Sequence, residues 1–240
     1  MVTEVPSWKK GVAEAIGTFA LIFVGVLVLS VPGGDKHLVE VALAHGLTIA
    51  VMASATMSIS GGQLNPAVTI GLLSARKISV AQAGINILMQ IVGGVLGGYF
   101  ALFALGGGAS TIVGGVPDLA ADVSVVRGIF IEAVLTFFLM FVIMGTAVDP
   151  RFGARIGALA IGLTVTLDIL AGGPLTGAAM NPARWLGAAI PAMHFSNAIV
   201  YFIGPILGAV AAALLYNAVL MDEPRPHPEP QAQMRAKGNP

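Results

Sequence analysis

Two Asn-Pro-Ala tripeptides interrupt an otherwise apolar chain: Asn65-Pro66-Ala67 and, 116 positions on, Asn181-Pro182-Ala183. An amide side chain both donates and accepts hydrogen bonds, and Arg184, directly after the second tripeptide, is a permanent donor. Such groups in apolar surroundings can hold and orient a small polar molecule, but none is a nucleophile or a base. The usual groups for covalent chemistry are not arranged here. Cysteine is absent, which excludes disulfides and thiolate metal sites and leaves the redox compartment open. His37, His45, His194 and His227 lack metal-ligand spacing, and neither a GxxxxGK[ST] phosphate loop nor a GxSxG nucleophile elbow is present. No catalytic residue, metal or cofactor is expected. The formal net charge of zero offers no basic field for nucleic acid.

The elements that must position the tripeptides read as membrane spans. The 240 residues are 56% hydrophobic and 10% charged, against about 25% charged in soluble domains. Six apolar segments, roughly 11–31, 39–59, 80–105, 127–148, 154–172 and 196–220, approach or exceed the ~20 residues needed to cross a ~30 Å hydrocarbon core. The first follows Lys9 and Lys10 without a small-residue cleavage site and reads as a retained helix. Segments 60–77 and 173–193 are apolar too, but each holds a Gly-containing stretch and then Asn-Pro-Ala, leaving about nine apolar or small residues, too few to span. The stretch 221–240 is proline-rich and polar, expected to be a disordered cytoplasmic tail, which leaves 1–220 as one membrane domain. With a cytoplasmic N-terminus, Lys9, Lys10, Arg76, Lys77, Arg151, Arg155, Arg225, Arg235 and Lys237 lie inside, and only Lys36 and Arg127 outside. That bias places both termini in the cytoplasm.

The chain also repeats itself. At the offset that relates Asn65 to Asn181, Gly46-Leu47-Thr48 matches Gly162-Leu163-Thr164 and Gly61 matches Gly177. AEAIGTF at 13–19 resembles IEAVLTF at 131–137, aligning Glu14 with Glu132, and GGVLGG at 93–98 resembles GPILGA at 204–209. Each half, about 11–105 and 127–220, holds three spans and one short segment. Three is odd, so the second half must sit inverted relative to the first, with a solute path near the midplane between them.

Asn is a strong N-cap and Pro favours the first helical position, so a half-helix should begin at each Asn. Two such pieces entering from opposite faces meet N-terminus to N-terminus. Irregular backbone at membrane depth survives only where it is buried in protein or lines a wet cavity. The loops Gly61-Gly62-Gln63-Leu64 and Gly177-Ala178-Ala179-Met180 should therefore present carbonyl oxygens to a lumen, with the Asn65 and Asn181 N–H donors at its centre. Both helix N-termini direct positive potential there, which repels cations and H₃O⁺. Arg184 lies three residues past Asn181 on the same face, one turn outward, where the first half carries Val68. The competing reading is an arginine snorkelling to a headgroup. Glu14 and Glu132 admit two roles: proton relays, or acceptors for the loops' backbone N–H groups. A matched pair serving two matched loops favours the second.

Paired Asn-Pro-Ala signatures in mirrored half-helices, the second continuing to Arg184, resemble the major intrinsic proteins: aquaporins and aquaglyceroporins. The resemblance covers about residues 11 to 220. It implies an all-α fold of six tilted helices plus two half-helices in an inverted repeat, assembled as a homotetramer with one pore per subunit. It also implies an outer filter made by His45 of LAHGLTI, Ile169, Ala178 and Arg184. A structural histidine in helix packing is the other reading of His45. A second-helix His with a fifth-helix Ile, followed by ILAGG at 169–173, is similar to vacuolar-type plant aquaporins. Trp185 stands where glycerol channels usually carry Asp. The resemblance agrees with the loop-supporting role of Glu14 and Glu132. Ile169 and Ala178 imply a filter wider than the strict water type, with donors from Arg184 and His45. Asp168 receives no role.

The expected function is a passive channel carrying water in single file through the lipid bilayer of the cell (plasma) membrane. Ammonia, hydrogen peroxide or other small neutral solutes would accompany water, and protons and ions would be excluded. Three further readings stand beside it: a glycerol and urea facilitator, a proton-coupled transporter on the same scaffold, and a structural junction protein with little flow.

Overall fold

The computed structural model describes residues 5–30, 38–151 and 156–221. Eight α-helices and no strand occur among these residues: α1 (Ser7–Ser30), α2 (Leu38–Ser60), α3 (Pro66–Ser74), α4 (Val80–Leu105), α5 (Val125–Ile143), α6 (Gly157–Thr176), α7 (Pro182–Ala192) and α8 (Ala198–Leu215). The six longer helices have the length and composition to cross a membrane. Two of them, α5 and α8, run on through single π turns, Met144–Val148 and Tyr216–Leu220. The span expected to stop near 172 instead continues to Thr176 through Pro174. A proline in the last turn forfeits only one backbone hydrogen bond. Left-handed Gly177 then closes the helix, its N–H bonding the Gly173 carbonyl at 3.0 Å. Residues Lys36, His37, Arg155, Arg225, His227, Arg235 and Lys237, and the expected tail from 222 onward, lie outside the described residues.

Packing follows the repeat. In the first half α1 lies along α4, and in the second α5 lies along α8. Across the halves α2 meets α6, while the short helices are exchanged: α3 rests on α8 and α7 on α4. The α2–α6 crossing depends on two facing glycines. A Cβ on Gly46 would run into Thr166 and lie 2.5 Å from the Gly162 carbonyl, and one on Gly162 would strike Gly46 and Ala50. Small residues here let two backbones touch, the usual device where lipid supplies no hydrophobic drive for association.

The surface and interior have the polarity a bilayer requires. Leu88, Phe103, Phe130 and Leu167 are exposed on the outside of the bundle, whereas Glu14, Asn86, Gln90, Glu132 and Thr136 are fully buried. The link between the halves contains one 3₁₀ segment, Ala109–Gly115. The link is tied to the last turn of α6, just ahead of the second re-entrant loop, by the Ala120 N–H, which donates to the Leu175 carbonyl at 3.0 Å.

Candidate solute pore

The two re-entrant loops adopt the same unusual backbone. Gly61, Gly62 and Leu64 have φ of 94°, 58° and 51°, and Gly177, Ala178 and Met180 have 77°, 44° and 52°. A left-handed residue other than glycine costs roughly 1–2 kcal/mol, so Leu64, Ala178 and Met180 must be held there by their surroundings. A carboxylate does this in each half. Glu14 accepts from the N–H groups of Gln63 (3.0 Å) and Leu64 (2.6 Å), from the Ser60 hydroxyl (2.6 Å) and from the Gln90 amide (2.7 Å). Glu132 accepts from the N–H groups of Ala179 (2.9 Å) and Met180 (2.7 Å) and from the Thr176 hydroxyl (2.7 Å). Buried N–H groups that no helix can satisfy thus find acceptors.

Each half-helix starts at its asparagine. Asn65 Oδ1 accepts from the Ala67 N–H at 2.9 Å; Asn181 Oδ1 accepts from Ala183 at 2.9 Å and Arg184 at 3.2 Å. The amide nitrogens cross between repeats, Asn65 Nδ2 donating to the Met180 carbonyl at 2.8 Å and Asn181 Nδ2 to the Leu64 carbonyl at 2.9 Å. One N–H of each side chain therefore locks the two half-helices together, and one is left for another partner.

A cavity of about 480 Å³ extends from Lys10, Lys77 and Gln82 at one end, past Gly61, Gly62, Gln63, Asn65, Val68 and Asn181, to His45, Ile169, Ala178, Ala179, Met180 and Arg184. A second cavity of about 350 Å³ lies beyond, lined by Leu29, Leu38, Val41, Pro117, Asp118, Gly173 and Gly177. Ile169 and Arg184 line both, so the boundary between the cavities runs through them. Two residues expected to offer carbonyls to the first cavity do not line it. Leu64 is fully buried, with its side chain in the space that a Cβ on Gly17 would fill and its carbonyl engaged by Asn181. Gly177 faces the second cavity, against Pro117.

At the boundary, Arg184 Nη2 lies 3.2 Å from His45 Nε2. A guanidinium can only donate, so Nε2 accepts, and the ring proton sits on Nδ1, which donates to the Val41 carbonyl at 2.8 Å. The imidazole is thereby neutral and its tautomer fixed. His45 was expected to add a donor to the filter; instead its free nitrogen is used to orient Arg184. Nε and Nη1 of Arg184 are buried and have no protein acceptor among the described residues. Val68, at the equivalent place in the first half, is buried beside the first cavity and carries no charge.

Asn86 and Gln90 read from the sequence as hydrogen bonders between helices, but their partners do not. The Gln63 side-chain carbonyl accepts from Thr69 (2.6 Å) and Asn86 (3.2 Å), and Gln90 donates to Thr69 at 2.9 Å. Polar residues spaced along α4 were the only signal for this network. At the second cavity, Asp118 accepts from Asn197 Nδ2 (2.7 Å), the Leu119 N–H (2.9 Å) and His194 Nε2 (2.9 Å). Partial burial raises the Asp118 pKa, but the hydrogen bonds from Asn197, His194 and Leu119 outweigh it and hold the carboxyl below its ordinary range. Asp168 is buried in α6, lines neither cavity, and leaves Oδ2 without a partner among the described residues.

Residues 1–216 match the family described as Major intrinsic protein. Aquaporin TIP4-4 of Zea mays is 40% identical over 230 residues, which cover 91% of this chain and 89% of that protein. Nodulin-26 of Glycine max is 36% identical over 221 residues, 91% of this chain and 80% of that one. Among solved structures, the aquaglyceroporin from Plasmodium falciparum aligns with a TM-score of 0.81 at 25% identity, over 89% of this chain and 97% of that one. An inverted repeat of helices with two Asn-capped half-helices and these relatives lead to one assignment: the chain belongs to the major intrinsic protein family.

Proposed function

We propose that this multi-pass integral membrane protein is a passive channel for water and small neutral solutes. The observation that carries this reading is the pair of cavities meeting at Arg184 and Ile169, with two crossed asparagines just inside that boundary. Water moving along the first cavity would meet a carbonyl lining from the loops, then the remaining amide N–H of Asn65 and Asn181, then the side chain of Arg184. Two helix N-termini and a guanidinium make this region unfavourable for a cation, while a neutral molecule loses little on entering. Ile169 and Ala178 contribute no polar side chain, so solutes larger than water would be limited by width rather than by a lost hydrogen bond. The relatives named aquaporin support the water reading, and the aquaglyceroporin structure supports glycerol or urea as additional cargo.

A relay role for Glu14 and Glu132 has less support. Each carboxylate is buried and engaged by two backbone N–H groups and a hydroxyl, with the Gln90 amide in addition at Glu14. The finer features of the proposal are a homotetramer with one pore per subunit, one channel domain over 1–220 with a cytoplasmic tail, both termini in the cytoplasm, and residence in the plasma membrane. No catalytic step belongs to it. Stopped-flow light scattering on proteoliposomes, with water, glycerol, urea and ammonia gradients, tests the reading. Water flux well above that of protein-free vesicles is expected, with no collapse of an imposed pH gradient. Shrinkage no faster than in empty vesicles would favour the junction-protein reading, and pH collapse the transporter.

A further inference from the structure

A glycine on α1 lies at the level of the outer constriction. Leu21, Gly25 and Leu29 fall on one face of α1 at intervals of four residues. Leu21 lines the first cavity and Leu29 the second, so Gly25 lies between them, at the level where Ile169 and Arg184 separate the two. What fills the space at Gly25 is the imidazole of His45. A Cβ on Gly25 would overlap Nε2 and lie 3.1 Å from both Cδ2 and Cε1. Those are the atoms at the edge of the ring that meets Arg184.

The ring has little room to give way. Its Nδ1 is tied to the Val41 carbonyl, its Nε2 receives Arg184, and the residue is 2% exposed. Because His45 lines the first cavity, its remaining free side is the lumen. A methyl group at Gly25 must therefore drive the ring toward the lumen or open the α1–α2 contact, and either movement breaks the present Nε2–Arg184 geometry. We propose that Gly25 is a specificity-determining position of this channel, leaving the space that lets His45 stand aside from the lumen and hold Arg184 in place. It is a positioning residue, acting through His45, and the inference rests on the channel reading.

Gly25→Ala and His45→Ala, singly and combined, test it in proteoliposomes normalised for inserted protein, with water, glycerol and urea permeability as readouts. Gly25→Ala is expected to lower water permeability severalfold and to lower glycerol and urea relative to water. In the His45→Ala background, where there is no ring to displace, the same substitution should change these values by no more than about twofold, the non-additivity that residues in contact show. Equal fractional losses in both backgrounds would assign Gly25 to helix packing alone and overturn the proposal, as would an unchanged solute profile for Gly25→Ala. If Gly25→Ala does not reach the membrane by itself, the proposal requires that the double variant does, and failure of both overturns it. Unaltered protein that conducts no faster than empty vesicles would sink the channel reading instead, which the same experiment registers separately.

Discussion

Behind the first half-helix stand Thr69 and Gln90; at the corresponding places behind the second stand Trp185 and Tyr201. In the first repeat these residues form a polar network, Gln90 donating to both Thr69 and Glu14, and Thr69 donating to Gln63. In the second they form an aromatic slab. The Trp185 and Tyr201 rings stack with centroids 5.8 Å apart and planes 13° apart, and Phe195 and Phe202 close on Trp185 edge-on. One backbone design is thus supported by two chemistries, and the choice correlates with what each half-helix presents to the lumen. The first presents Val68. The second presents Arg184, whose charge would be drawn to any spare carbonyl nearby. A wall of rings offers none, so Nη2 is satisfied by His45 while Nε and Nη1 remain without acceptors among the described residues.

The loop carboxylates offer the strongest way to sharpen this contrast. Each oxygen of Glu14 receives two donors, whereas at Glu132 one oxygen receives two and the other only the Met180 N–H. A glutamine brings an NH₂ group that must face the donors on one side. In its better orientation each glutamine opposes one backbone N–H, but in Glu14→Gln the Ser60 hydroxyl must also turn away from the side chain toward the Thr56 carbonyl, 3.4 Å off. At about 1–3 kcal/mol per unmet buried donor, Glu14→Gln should cost more and leave the smaller yield of monodisperse protein after detergent extraction. Equal yields and equal melting temperatures would mean that the polar network of the first repeat adds nothing to its loop.

Arg184→Val makes the second half-helix resemble the first at the lumen. It removes the guanidinium and the His45 contact together, leaving a wider and uncharged boundary beside Ile169 and Ala178. Water permeability should persist, while glycerol and urea gain severalfold relative to water and an imposed proton gradient decays faster. Stopped-flow scattering and a pH-sensitive dye inside the vesicles measure the two effects. A solute profile like that of the unaltered protein would place Arg184 away from the constriction.

Much of the scaffold was legible because the bilayer imposes simple rules on sequence. Runs of apolar residues gave six spans, and the helices begin and end within a few residues of them, except that α6 passes through Pro174. Asn65 and Asn181 cap the half-helices because capping and the following proline are local properties. The contacts between repeats were not legible in this way. The reach of Asn65 to the Met180 carbonyl, the tautomer of His45 and the pressure of its ring on Gly25 depend on elements far apart in the chain. Residue types allowed His45 to be a donor, and only its two partners decide that Nε2 accepts. Leu64 and Gly177 look like their neighbours in sequence, yet Leu64 packs against Gly17 and Gly177 against Pro117, outside the first cavity.

The smallest predicted difference concerns the two backing residues themselves. Tyr201→Phe keeps the ring and its stack on Trp185 and removes one hydrogen bond, from the hydroxyl to the Thr176 carbonyl at 2.8 Å. A neutral hydrogen bond of this kind contributes about 1 kcal/mol. Gln90→Leu keeps similar bulk but removes two bonds, one of them to the Glu14 carboxylate, and bonds to charged groups are stronger, about 1.5–3 kcal/mol. Thermal unfolding in detergent should therefore place Gln90→Leu below Tyr201→Phe, with both above Glu14→Gln. The order matters more than the sizes. If Tyr201→Phe proved the more damaging, the hydroxyl would be the main support of the second loop, and the stacked rings would be a consequence of its placement. If Gln90→Leu is the worse, the first repeat holds its loop through donors to a carboxylate, and the second does so with flat apolar surface beside its buried cation.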